Sequence, residues 1–154
     1  MGLKELFLNK GWAGKTLSRQ ETVERINPLL RTHYELNRAY EYAIRNLSDA
    51  ETADRLEVLQ KTARGDVGKL SETVLSAGGV AYNGTDLEPG DVDLGSNDAS
   101  ILGELERLES ALAAALDEEL EEEHQIRTRA ILGVVRNNSR ERLDYVRRAA
   151  RNAQ

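Results

Sequence analysis

Leu30, His33, Asn37, Tyr40, Ile44 and Leu47 follow one another at alternating steps of three and four residues, and Val23 and Ile26 continue the row toward the N-terminus. Such a row keeps to one side of an α-helix and calls for a partner helix to cover it. A second row, Leu56, Leu59, Ala63, Asp66, Leu70, Val74 and Ala77, begins just after Ser48-Asp49-Ala50. A link that short forces the second helix to run back antiparallel along the first. Two seams and a tight turn therefore predict a helical hairpin.

The hairpin's ends carry their own signals. Ser18 with Glu21 three residues later reads as a capping box, in which each side chain satisfies the other residue's backbone amide. Asn27-Pro28 offers a second start, asparagine as cap and proline in the first turn, so the helix either begins near Ser18 and kinks at Pro28 or begins at Pro28. Gly78 is placed to end the second helix in the left-handed conformation.

From Val80 to Ala99 the chain is rich in Gly, Asp, Asn, Ser and Pro without helical period, which predicts a long surface crossover. A loop of about 20 residues in a compact domain needs a reason. Here one connection must travel the length of a bundle. Beyond it, Asn97 or Asp98 is placed to cap a third helix with Leu102, Leu105, Leu108, Leu112 and Leu116 on one face, ending in the acidic run Asp117 to Glu123. The fourth helix puts Ile131, Leu132, Val135, Leu143, Val146 and Ala150 inward and carries six arginines from Arg136 to Arg151 toward its C-terminus, where the helix dipole favours positive charge. The expectation is an all-α antiparallel four-helix bundle, two hairpins joined by a crossover. Its helices cover about 18–47, 50–77, 98–120 and 123–152, its crossover 79–98, and residues 1–17 form an N-terminal arm.

Composition narrows the function by exclusion. With 154 residues, 40% of them hydrophobic, the chain can bury one domain-sized core. A net charge of -6 disfavours nucleic acid and anionic membranes, which reward clustered Lys and Arg. Having no cysteine removes disulfides, thiolate metal sites and thiol catalysis. No apolar run reaches the roughly 20 residues that cross a bilayer, and the N-terminus lacks a signal peptide's apolar region, so a cytoplasmic protein is expected. The arm carries Leu3, Leu6, Phe7, Leu8 and Trp12, either a strap on the bundle or a docking arm, and Leu6 stands where myristoylation wants Ser or Thr.

Polar residues inside the seams carry the remaining chemistry. His33 and Asn37 lie one turn apart on the first helix, and Asp66, at a similar distance from the turn on the second, is expected at their height. That is where ferritin-like carboxylate proteins hold a metal pair. The stretch from His33 to Gly79, with Tyr40, Ala43, Ile44, Arg64, Leu70 and Gly78, resembles uncharacterised bacterial ferritin-like families with a degenerate metal site. The resemblance implies metal ligands at four positions. At the first stands His33; at the second, Ala63-Arg64-Gly65-Asp66 replaces Glu-x-x-His; Glu109 fits the third; and Glu141-Arg142-Leu143-Asp144 is the nearest match to the fourth. Too few ligands remain for a di-iron site.

Three readings of this layer stand side by side: a paired polar layer in which His33 hydrogen-bonds Asp66 with Asn37 completing it, a single Fe, Mn or Zn site from His33, Asp66, Glu109 and Glu141 or Asp144, and a small-ligand or proton-handling role. His124 reads as a cap or surface residue. Asp91, Asp93, Gly95, Asn97 and Asp98 partly match a calcium loop, but Leu102 stands at the twelfth position in place of glutamate. No catalytic triad or phosphate loop is present. The functional expectation is a non-enzymatic structural or interaction module without cofactor, a homodimer through an exposed helix face or the arm. The contrasting expectations are a metal-binding or oxidoreductase bundle, and an adaptor offering Glu118 to Glu123 to a basic protein.

Overall fold

The computed structural model describes residues 15–88, 90 and 92–154, so the expected strap or docking arm at residues 1–14 lies outside the described residues. Ser18 decides where the first helix begins. Its hydroxyl accepts from the Glu21 amide at 3.1 Å while the Glu21 carboxylate accepts from the Ser18 amide at 2.9 Å. Helix α1 runs from Arg19–Asn46 and carries Pro28 in its interior, so the alternative start at Asn27-Pro28 is not used. Asn27 has another task. Its side-chain amide donates to the Val80 carbonyl at 3.0 Å and accepts from the Tyr82 amide at 2.9 Å, imitating a strand partner for the start of the crossover.

Helix α2 spans Ala50–Ser76, capped at its start by Asp49. It stops in a Schellman turn: the Gly79 amide reaches the Val74 carbonyl and the Gly78 amide that of Leu75, with Gly78 at φ 85°. Helix α3 spans Asp98–Glu119 and α4 Ile126–Asn152. Asn97 is the cap of α3, its side chain accepting from the Ser100 amide at 2.8 Å. Asp98 is thereby free to clamp the α1–α2 turn, accepting from the Ser48 amide and hydroxyl, both at 2.8 Å, and from the Asp49 amide at 3.2 Å. The α4 start falls at Ile126 rather than 123, because Leu120 to Gln125 form a turn whose carbonyls at 120 and 122 accept from Arg129.

The crossover climbs beside α1 in the same direction as that helix. Tyr82 packs edge-on against Tyr34, Arg31 pairs with Asp86 at 3.0 Å, and the Tyr42 hydroxyl donates to the Gly95 carbonyl at 2.7 Å. Returned to the top, the chain descends as α3 and rises as α4. Helix α1 therefore packs antiparallel on α2 and α3, and α4 on α3 and α2, leaving α1 diagonal to α4. This is the expected all-α bundle of two hairpins. Leu30, Tyr40, Leu56, Leu70, Leu105, Leu112, Leu116, Leu132 and Val146 are fully buried along its axis. No helix among the described residues is long and apolar enough to cross a membrane.

Candidate functional site

Seven residues after Val135 and four before Val146, the seam of α4 brings Arg142 inward with no exposed surface, the largest fully buried side chain of the core. A buried guanidinium must find partners for its donors. Glu109 of α3, equally closed to solvent, takes two of them: Nε donates to Oε2 at 2.7 Å and Nη2 to Oε1 at 3.3 Å. Nη1 donates to the Thr62 hydroxyl at 3.1 Å and to Asp66 Oδ2 at 3.4 Å, both on α2. The Tyr40 hydroxyl of α1 donates to Glu109 Oε2. On the far side Asn138 donates to Asp66 Oδ1 at 2.9 Å, and Lys69 Nζ lies 3.7 Å from the same oxygen. One cation thus ties all four helices at mid-height.

The electrostatics follow from burial. It pushes the Glu109 carboxyl above the ordinary range, with Arg142 and Tyr40 pulling it back. Burial also raises Asp66, opposed by Asn138, Arg142 and Lys69. For Arg142 burial works against the charge, but Glu109, Tyr40 and Asp66 together outweigh it and leave the guanidinium above its usual range. Tyr40 is held well above the ordinary phenol range, by burial first and then by the neighbouring Glu109.

The expected His33–Asp66 hydrogen bond is replaced by other pairings. His33 is fully buried, and its Nδ1 lies 2.8 Å from the Leu29 carbonyl, which can only accept, so Nδ1 carries the proton and Nε2 presents a lone pair without a partner among the described residues. Burial, reinforced by the charge of Arg142, lowers its pKa to about 4. Asn37 is half-buried and its side-chain oxygen has no partner among the described residues, while its backbone carbonyl accepts from Gln60.

The single-metal constellation is not assembled either. Asp66 and Glu109 are committed to Arg142, whereas Glu141 and Asp144 are exposed, Asp144 pairing with Arg148 one turn on at 3.5 Å. Among the described residues no group of three or more His, Asp or Glu is placed to hold a metal. A transition metal therefore does not fit these residues: the position it would need is filled by a guanidinium carrying the same sign of charge. In the calcium-like segment Asp91 lies outside the described residues, Asp93 accepts from Tyr42 and the Gly95 amide, and Asp98 holds the α1–α2 turn.

His124, expected as a cap or surface residue, is buried, and Gln125 takes the N-cap position of α4. The His124 Nε2 meets Glu119 Oε1 at 2.6 Å, and Arg25 Nε reaches that oxygen at 2.6 Å. The acidic run is engaged in part by the bundle itself, for Asp117 also pairs with Arg136 and Arg140, each at 2.8 Å.

Sequence reasoning placed Asp66 and Glu109 near the axis and missed Arg142, Thr62 and Asn138. The signal for Arg142 was its spacing. Leu132, Val135, Ser139, Arg142, Val146 and Ala150 form an unbroken row of threes and fours that runs through the arginine; Leu143, the apolar choice, is only half-buried.

Fold and site together define a class: an all-α four-helix bundle whose centre is a closed, internally paired charge layer. No protein-family model matches the chain, and no curated protein matches its sequence.

Proposed function

We propose that this chain is a non-enzymatic structural or interaction module, ferritin-like in its order of hairpin, crossover and hairpin, which works in the cytoplasm by associating with itself or with another protein. The observation that carries the reading is Arg142, whose guanidinium occupies the middle of the bundle and consumes the two buried carboxylates there. A catalytic or metal-storing bundle needs open donor positions at that height. Here the donors neutralise an internal cation, and burial of an ion pair of this kind fixes the register of helices more readily than it adds stability.

Elemental analysis tests it. Protein purified without chelator, then exposed separately to Fe(II), Mn(II) and Zn(II) and dialysed, should retain far less than one metal per chain. A stoichiometric metal that disappears in Glu109→Gln would overturn the reading.

A further inference from the structure

Helix α2 carries a second row on the side opposite its core face. Val58, Lys61, Gly65, Gly68, Glu72 and Leu75 are spaced at steps of three and four, and all six are exposed. Val58 and Leu75, 51% and 62% exposed, are two of the five large apolar side chains left to solvent among the described residues. Between them sit two glycines, the least favourable helix residues after proline. Nothing among the described residues explains them: a Cβ at Gly68 would meet no described atom within 4 Å, and at Gly65 only the Lys69 ammonium at 3.6 Å. Lys61 and Glu72 have no ion-pair partner among the described residues, whereas Arg64 pairs with Glu41 and Lys69 with Asp66.

The order of these residues is self-complementary. If a second α2 is laid antiparallel across the first, about a twofold axis passing between Asp66 and Val67, Val58 falls opposite Leu75 of the other copy, Lys61 opposite Glu72, and Gly65 opposite Gly68. Every layer is then matched, with apolar pairs at the ends, opposite charges inside them, and glycines at the centre where the backbones must come nearest. An isologous interface requires this kind of pairing, in which residue i meets j and j meets i. The alternating three-and-four spacing is that of an antiparallel coiled-coil seam. A parallel arrangement would set Lys61 on Lys61 and Glu72 on Glu72. The two cations nearest the axis, Arg64 and Lys69, are those already held by intramolecular carboxylates.

We infer that the outer face of α2 is a homodimer interface, closed by an antiparallel α2–α2 contact about the Gly65–Gly68 pair, with a second copy of this chain as its partner. The inference rests on the proposed role as a self-associating module and specifies where that association occurs.

Sedimentation equilibrium of the full chain should show a dimer. Lys61→Glu should weaken it by at least about tenfold in Kd, since two symmetric attractions become repulsions. Adding Glu72→Lys to the same chain should restore it. Cysteine pairing gives geometry independently of affinity. Val58 and Leu75 of one chain lie about 25 Å apart along α2, at 1.5 Å per residue, so a Val58→Cys, Leu75→Cys chain can crosslink only between copies. It should form a covalent dimer under mild oxidation, and Val58→Cys alone should not. Circular dichroism confirms that each variant keeps its helix content. A monomeric wild type, or efficient crosslinking of Val58→Cys alone, overturns the inference. A dimer indifferent to Lys61→Glu and to its reversal overturns this interface but leaves self-association standing, and the metal analysis decides the non-enzymatic reading separately.

Discussion

Replacing Arg142 by Met keeps the volume near that of the buried side chain and removes its charge. Glu109 then loses hydrogen bonds at 2.7 and 3.3 Å and its cation, keeping only the Tyr40 hydroxyl, and Asp66 loses a contact at 3.4 Å. Two carboxylates remain in a closed interior. Breaking a buried pair by removing one partner costs about 3–5 kcal/mol, a large share of the roughly 5–15 kcal/mol by which domains are stable. Urea unfolding followed by far-UV circular dichroism reads the loss directly.

The pH dependence gives the sign. In Arg142→Met the folded Glu109 carboxyl lies further above its unfolded value than in wild type, so the folded variant holds its proton more tightly than the unfolded one. Stability of the variant is then greatest below the unfolded pKa and declines as pH rises through the folded one. The deficit against wild type should be smaller at pH 5 than at pH 7.5. Adding Glu109→Gln, which still accepts from Tyr40, should recover most of the loss, to within about 1–2 kcal/mol of wild type. An Arg142→Met cost under about 1 kcal/mol at pH 7.5, or a deficit that grows as pH falls, would refute the reasoning.

Three further outcomes follow from the same geometry. His33, lowered from 6.5 to about 4 by burial, is neutral in the fold and charged in the unfolded chain below pH 6.5, so it contributes stability above that pH that is lost as pH falls toward 4; in urea titrations across this window His33→Met should remove a slope amounting to about 3 kcal/mol. Asp98→Ala should cost about 1–3 kcal/mol by freeing the three donors of the α1–α2 turn, measured as a shift of the urea midpoint. Glu141→Ala and Asp144→Ala, at exposed positions, should leave both the midpoint and the metal content of the protein where they are.

Much of the fold was legible because its signals are local. The Ser18–Glu21 box, Gly78 and the glycine-rich crossover each act within a few residues, and each appears where the sequence places it. Asn27 misled because its residue type suits a cap, while its partners, Val80 and Tyr82, are remote in sequence. The site was legible by half for a related reason. Spacing put Asp66 inside and the family resemblance pointed to Glu109, but hydrophobicity chose Leu143 over Arg142, since an arginine is expected inside only if distant carboxylates neutralise it. His33 is buried, as its place in the seam requires. Its partner could not be foreseen, because a helical histidine can satisfy itself on the carbonyl four residues back.

The central claim is that a guanidinium, paired to Glu109, holds the middle of this bundle. Nitrogen-15 NMR of the Arg142 Nε–H addresses it most directly. The account predicts a slowly exchanging signal at neutral pH that is lost or shifted in Glu109→Gln and stays sharp when equimolar Mn(II) is added. A signal that exchanges as fast as those of surface arginines, or one that Mn(II) broadens away, would contradict it.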